Sequence, residues 1–361
     1  MIRVADYIIR FIEKLGVTDV FTVSGGGSIF LCDALGASTK LRYICCHHEQ
    51  AVAMATESYA RVRNGIGVSI VTTGPGGTNA ITGVAGSWMD SVPHLVLSGQ
   101  VFLKQTIGKT GLRQLGVQEI NIVDLVKPVT KYAVMVDDPK KIRYHLEKAV
   151  HLATTGRPGP VWLDLPADIQ NAKVDPETLE GFQAESENAG ATANVGLRDN
   201  VREVVALLAR SRRPLIHVGQ GVRIAGAEEE LLGLITEFGI PFVTARNAND
   251  LIATDHPLHV GRPGTFAQRP ANFAVQNADF YLAVGTRLSL PQTGYDAKDF
   301  ARNAKRVMVD IDQAELDKPT LDMHIKIRSD AKAFLTELRR ELAGTSGRWA
   351  AWIQTCADWR K

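Results

Sequence analysis

His47-His48-Glu49-Gln50-Ala51 places two imidazoles and a carboxyl where an apolar stretch passes into a helical pattern. A glutamate there can offset the positive end of a helix dipole, or it can hold a proton on a bound base. His48 taken alone reads as a hydrogen-bonded structural histidine. A second segment, Thr72-Thr73-Gly74-Pro75-Gly76-Gly77-Thr78-Asn79, also lies between a strand pattern and a helix pattern. Glycines at such a place let a ligand approach the backbone and leave helix N–H groups free, or they simply make a tight turn. The segment is no P-loop, because no Gly-Lys-Ser/Thr follows, and it is not GxGxxG. Gly219-Gln220-Gly221 continues as Val222-Arg223-Ile224 and so lacks the third glycine of the dinucleotide fingerprint. Two further segments are weak by themselves. One is Met89-Asp90-Ser91-Val92-Pro93, which leads through His94–Ser98 to Gly99-Gln100-Val101. The other is Gln118-Glu119, followed by Lys127-Pro128-Val129-Thr130-Lys131.

The elements that must carry these residues alternate between strand and helix. Val4, Ile8, Ile12 and Leu15 share one helical face, and Gly16 can close that helix. Asp19–Val23 reads as a strand running into Ser24-Gly25-Gly26-Gly27. A helix over about 28–35, a strand over about 41–46 and a helix over about 48–63 follow, then strands at Val68–Thr73 and His94–Ser98. Strands without polar alternation, separated by helices, imply a parallel sheet covered on both faces. Gly156–Leu165 is a turn followed by a buried strand. Residues 171–195 are rich in Asn, Glu, Ala and Gly and read as an interdomain linker. A second alternating region begins with the helix Val201–Leu208. It continues with the strand Pro214–Val218, a helix over about 227–238, and strands at Pro241–Thr244, Phe280–Val284 and Arg306–Asp310. The expected fold class is therefore α/β, with two doubly wound, mainly parallel-sheet domains, at 1–170 and 196–340. In 341–361, Trp349, Trp352, Cys356 and Trp359 form an apolar helical stripe. That stripe needs a surface, either this chain's own second domain or an unmet partner.

With 361 residues, two or three domains of roughly 100–200 residues are expected. A hydrophobic content of 45% allows a sizeable core, and 41 basic against 39 acidic residues leave a net charge of +2. That balance offers no electrostatic footprint for nucleic acid or an anionic membrane. Cys32, Cys45, Cys46 and Cys356 form no CxxC pair, so neither a disulfide framework nor a zinc site is supported. Asp6, Arg10 and Glu13 interrupt the N-terminal apolar residues, unlike a signal peptide, and no run of 18 apolar residues occurs. A cytoplasmic protein is expected.

In this order and spacing the segments resemble the pyrimidine-binding domain of the acetolactate synthase-like thiamine-diphosphate (ThDP) family. Gly156–Val161 and Asp164–Pro166 extend the match. Arg213-Pro214, Gly219–Val222, Asp255-His256-Pro257, Gly285-Thr286-Arg287 and Asp310-Ile311-Asp312 resemble the family's central, Rossmann-like domain. The resemblance covers about residues 1–340. It implies a carboligase or decarboxylase acting on 2-keto acids, with ThDP as cofactor. Glu49 matches the catalytic carboxyl that hydrogen-bonds the pyrimidine N1′ and drives the amino-to-imino shift needed for loss of the C2 proton. Gly25, Gly26, His48, Thr73, Gly74, Pro75, Gly76, Asn79 and Gln100 match cofactor-binding positions, and Gln118 a substrate-binding one. Because the family builds each site from two subunits, a homodimer or tetramer is implied.

Three departures shape the expectation. Leu115-Gly116-Val117 stands where synthases often carry a Phe, which leaves the substrate open. A sulfoacetaldehyde- or phenylglyoxylate-type substrate, or a non-catalytic assembly subunit, are the alternatives. Leu288-Ser289-Leu290-Pro291-Gln292 replaces the acidic pair of flavin-binding synthases, so FAD is not expected. The family's Gly-Asp-Gly, which binds Mg²⁺ and diphosphate, is absent from the sequence. The expectation is thus that no metal ligands lie here, that Mg²⁺ and a diphosphate-binding domain come from elsewhere, and that the last helix leads to that domain.

Overall fold

The computed structural model describes residues 1–184, 196–345 and 347–361. They form two compact units, Met1–Glu187 and Asn188–Lys361.

The first unit contains strands β1 (Ile2–Arg3), β2 (Asp19–Thr22), β3 (Arg42–Cys45), β4 (Gly67–Val71), β5 (His94–Gln100), β6 (Tyr132–Met135), β7 (Pro160–Pro166) and β8 (Lys173–Val174). Six of them make a sheet in the order β3-β2-β4-β5-β7-β6, parallel throughout. The inner strands β4, β5 and β7 are buried along their whole length, which explains why their sequences do not alternate. One face packs Ile8, Ile12, Leu31, Leu146 and Ala149 against Val68, Leu95 and Leu163. The other packs Val52, Ala80, Val84 and Ile122 against Val71, Val96 and Trp162. The chain leaves β2 toward β3 and returns to β4 on the other side of β2. The sheet therefore has its topological switch between β2 and β4, where such sheets open a crevice at the carboxyl ends of the strands.

Part of the stretch read as a linker belongs to this unit. Lys173–Val174 pair antiparallel with Ile2–Arg3, and Leu179 is buried. Residues 185–195 of that stretch lie outside the described residues. Strand β6 and the helix Ile142–Thr154 were not read from the sequence. Tyr132–Met135 is only half-buried throughout, which suits its place at the edge of the sheet.

The second unit contains β9 (Pro214–Val218), β10 (Phe242–Thr244), β11 (His259–Gly261), β12 (Phe280–Val284), β13 (Lys305–Asp310) and β14 (Ile325–Arg328). They form another parallel sheet, in the order β11-β10-β9-β12-β13-β14. Its switch point lies between β9 and β12. There the turns Gly219–Gly221 and Gly285–Arg287 close on each other. Gly221 donates its N–H to the Gly285 carbonyl at 2.9 Å, and a Cβ on Gly221 would sit 2.7 Å from the Gly285 Cα.

The apolar stripe around the last helix, Ala350–Arg360, is covered by its own unit, the first of the two surfaces expected for it. Trp352 is 4% exposed and donates from Nε1 to the Pro214 carbonyl at 2.9 Å, while Trp349 donates to the Ser211 carbonyl at 3.1 Å. Trp359 meets Phe273 edge to face, and Arg360 holds the carbonyls of His256 and Pro257.

Candidate active site

The sequence-identified residues in the first unit follow the carboxyl ends of four neighbouring strands. Gly25 and Gly26 follow β2, His48 and Glu49 follow β3, and Thr73–Asn79 follow β4. Gln100 ends β5 and Gln118 lies in the loop beyond it.

Glu49 is the first residue of the helix Glu49–Arg63. It is 8% exposed and accepts a hydrogen bond from Asn79 Nδ2 on Oε2 at 3.0 Å. Asn79 belongs to the helix Pro75–Met89, whose residues Gly76, Asn79 and Gly83 share one face by their spacing of three and four. That face is small where the two helices meet. A Cβ on Gly83 would come within 2.6 Å of the Ala53 Cβ. A Cβ on Gly76 would stand 3.3 Å from Glu49 Oε1 and 2.8 Å from Thr72 Cγ2. Gly76 thus leaves Oε1 an open flank while Asn79 holds Oε2. His48 caps the helix with Nδ1 accepting from the Gln50 N–H at 3.1 Å, and its ring is otherwise exposed. Gly74 turns the chain with φ +61°, and the Gln118 carbonyl lies against it.

The loop after β2 is pressed onto the loop after β4. A Cβ on Gly25 would meet Thr72, and one on Gly27 would meet Thr73 Oγ1. Gly27 donates its N–H to Thr72 Oγ1 at 3.2 Å, and Thr73 Oγ1 donates to the Gly99 carbonyl at 3.1 Å. Gly27, Thr72 and Gly99 were not singled out as site residues. The run of three glycines was the signal that marked this close approach.

Gln100 is 2% exposed, and both ends of its carboxamide are engaged inside the protein. Nε2 donates to the Ile120 carbonyl at 3.1 Å and to Asp164 Oδ2 at 3.0 Å, and Oε1 accepts from the Val101 N–H. The structure thus ties Gln100 to the following loop rather than to Glu49. Asp164 also accepts from Ser98 Oγ at 2.6 Å. Its burial raises its pKa to about 7 despite those two hydrogen bonds. Gln118 is exposed near the C-terminal end of the loop, with its carbonyl against Gly74. Among the described residues no group of three or more His, Cys, Asp or Glu side chains is placed to hold a metal ion, and no helix is long and apolar enough to cross a membrane.

The arrangement is a buried carboxyl with Oε2 anchored by Asn79 and a glycine beside Oε1, at the carboxyl ends of the strands. It is suited to hydrogen-bonding a flat heterocycle that must exchange a proton. Residues 2–125 match the model described as thiamine pyrophosphate enzyme, N-terminal TPP binding domain, and residues 201–338 the model described as thiamine pyrophosphate enzyme, central domain. The acetolactate synthase large subunit of Corynebacterium glutamicum is 37% identical over 339 residues, covering 92% of this chain and 52% of that protein. A probable acetolactate synthase large subunit of Methanocaldococcus jannaschii is 38% identical over 342 residues, 92% of this chain and 55% of the relative. Acetolactate synthase 1, chloroplastic, of Zea mays is 35% identical over 349 residues, 95% and 52% respectively. The chain spans about half the length of these relatives. With its N-terminal TPP-binding and central domains both matched, the chain belongs to the thiamine pyrophosphate enzyme family, in its acetolactate synthase-like branch.

Proposed function

We propose that this chain supplies the pyrimidine-binding half of the active site in a ThDP-dependent carboligase or decarboxylase of 2-keto acids, of the acetolactate synthase type. The single observation that carries the reading is the Glu49 carboxyl, anchored by Asn79 and flanked by Gly76 at the switch point of the sheet.

In this role Glu49 Oε1 holds or releases a proton at the ring nitrogen of the aminopyrimidine, and Asn79 fixes the carboxyl plane while it does so. The Gly74–Gly76 turn, with Pro75 and Thr73, gives the flat ring room against the backbone. Gly25, Gly26 and His48 complete the wall, Gln100 acts from behind it by closing the neck of the following loop, and Gln118 faces the keto acid. Bound ThDP supplies the electron sink for decarboxylating a 2-keto acid and joining the remainder to a second carbonyl compound. The diphosphate and its Mg²⁺ are proposed to be held by protein outside residues 1–361, because the relatives are nearly twice as long as the region they share with this chain. A dimer or tetramer that completes the site between subunits accords with this reading. FAD is not part of it. At the second unit's switch point, the Gly221 N–H that could face a diphosphate already serves the Gly285 carbonyl.

The test supplies the chain with a diphosphate-binding domain from a relative, ThDP, Mg²⁺ and pyruvate. Release of carbon dioxide with formation of acetolactate supports the proposal. C2-proton exchange of ThDP without pyruvate turnover points to another substrate. Absence of both defeats it.

A further inference from the structure

The loop from Val101 to Asn121 has only a single 3₁₀ turn, Leu103–Gln105, yet its backbone is tightly determined. Gln100 closes its neck by bonding Val101 at one end and Ile120 at the other. Within the loop, the buried Glu119 carboxylate collects backbone donors. Oε2 accepts from the N–H groups of Leu115 at 2.9 Å and Gly116 at 3.2 Å, and Oε1 accepts from the N–H of Ile107. Those donors lie three, four and twelve residues from Glu119, so one side chain ties both limbs of the loop together. Gly116 has no room for a side chain. A Cβ there would stand 2.8 Å from Val101 Cγ2 and 2.9 Å from the Gln105 carbonyl. Gln118, next to Glu119, has φ +64°, a conformation disfavoured for a residue with a Cβ. Its carbonyl lies 2.0 Å from where a Cβ on Gly74 would be.

We propose that Glu119 is a positioning residue for Gln118: by gathering the N–H groups of Ile107, Leu115 and Gly116 it holds Gln118 in its left-handed conformation against Gly74, beside the Glu49 crevice. The inference rests on reading Gln118 as the residue that meets the keto acid. A carboxylate suits this task because it accepts on both oxygens. A carboxamide in its place presents an NH₂ to backbone N–H donors and leaves one limb of the loop unheld. A released loop lets Gln118 sample other orientations, which weakens the encounter with the keto acid. Glu49 and Asn79 stand on other elements, so proton exchange at the cofactor stays in place.

The test uses Glu119→Gln, Gln118→Ala and the double variant. In the enzyme completed with its diphosphate-binding domain, Glu119→Gln raises the pyruvate KM about tenfold or more, and the C2-proton exchange of ThDP stays within about threefold of wild type. The double variant is no worse than Gln118→Ala alone, because one effect passes through the other. In the 361-residue chain, the amides of Ile107, Leu115 and Gly116 exchange hydrogen at least about tenfold faster in Glu119→Gln, while those of β4, β5 and β7 do not change. Glu119→Asp, which keeps the charge with a shorter reach, serves if the amide variant does not fold, and shows the same losses in smaller measure. An additive double variant, an unchanged KM with normal C2 exchange, or unchanged amide protection overturns the proposal alone. A wild-type enzyme with no C2-proton exchange overturns the functional reading, and this inference with it.

Discussion

Asn79 donates from its carboxamide to the Glu49 carboxylate at 3.0 Å, which joins two helices near their N-terminal ends across a seam made of glycine and alanine. The bond uses one carboxyl oxygen and leaves the other for chemistry. Glu49→Gln keeps a carbonyl oxygen for Asn79 but removes the ionisable proton site. C2-proton exchange of ThDP should fall by roughly 10²–10⁴-fold, the usual reach of one acid–base group, with an unchanged circular dichroism spectrum. Near-normal exchange, followed by NMR in deuterated water, would remove Glu49 from the mechanism.

Gly76→Ala tests the open flank of the same carboxyl. The added methyl would meet Thr72 Cγ2 at 2.8 Å and Glu49 Oε1 at 3.3 Å. Overpacking of this kind costs about 1–3 kcal/mol. Here the larger effect should be on the cofactor, with ThDP-dependent activity lowered at least about tenfold while the thermal midpoint drops only modestly. Full activity in the alanine variant would show that the ring does not lie along Gly76.

Asp164 gives a pH signature. Burial holds its pKa near 7 in the folded state, against an ordinary value of 3.8. Between those values the native protein keeps a proton that the unfolded chain has lost. The group's stabilising contribution is therefore full below about pH 4 and disappears as the pH rises through 7. Burial pushes His94 and His217 down to about 3, and they act in the opposite sense: their contribution is present above about 6.5 and is lost as the pH falls toward 3. Both histidines are common to wild type and Asp164→Asn, so they cancel in the difference. The asparagine variant should gain on wild type between pH 5 and 8, by at most a few kcal/mol at about 1.4 kcal/mol per pKa unit. Urea unfolding across that range checks this, and a flat difference would refute it.

Trp352 anchors the last helix through its burial and its bond to the Pro214 carbonyl. Trp352→Ala should destabilise the second unit by about 3–5 kcal/mol and release the helix Ala350–Arg360 to fast amide exchange. Retained protection along that helix would show that Trp349 and Trp359 suffice to hold it.

Protein purified from a flavin-replete host should show no flavin band near 450 nm, given the Gly221–Gly285 closure. A stoichiometric FAD spectrum would overturn that expectation.

Strands β4 and β5, which carry part of the site, were legible because they are buried along their whole length and lack polar alternation, and each runs into a segment rich in glycine, threonine or glutamine. Glu49 and Asn79 were legible as types in motifs. Their mutual bond was not, because thirty residues separate them and only the folded helix pair brings them together. Gln100 was read toward the cofactor, yet its neighbours Asp164 and Ile120 come from other segments, and no spacing within the sequence announces them. Of the tryptophan stripe, Trp352 and Trp359 lie on the last helix with Cys356, while Trp349 stands just before it as the N-cap. The stripe's partner surface combines the carbonyls of Ser211 and Pro214 with the Phe273 ring, and these come from segments far apart in the sequence, so no local spacing announces them. The edge strand β6, Tyr132–Met135, and the helix after it were missed although Ile142, Leu146, Ala149 and Ala153 stand at helical spacing, a signal the sequence does carry.

Trp162 donates from Nε1 to Ser98 Oγ at 2.7 Å, and Ser98 in turn donates to Asp164. The indole therefore sits one hydroxyl away from an acid that changes charge near neutrality, in surroundings that solvent does not screen. That makes Trp162 a built-in optical gauge. Its emission should shift in wavelength as the pH crosses about 7, over the steady background of the other four tryptophans, and so report from inside the sheet on the ionisation beneath the neck of the Gln118 loop.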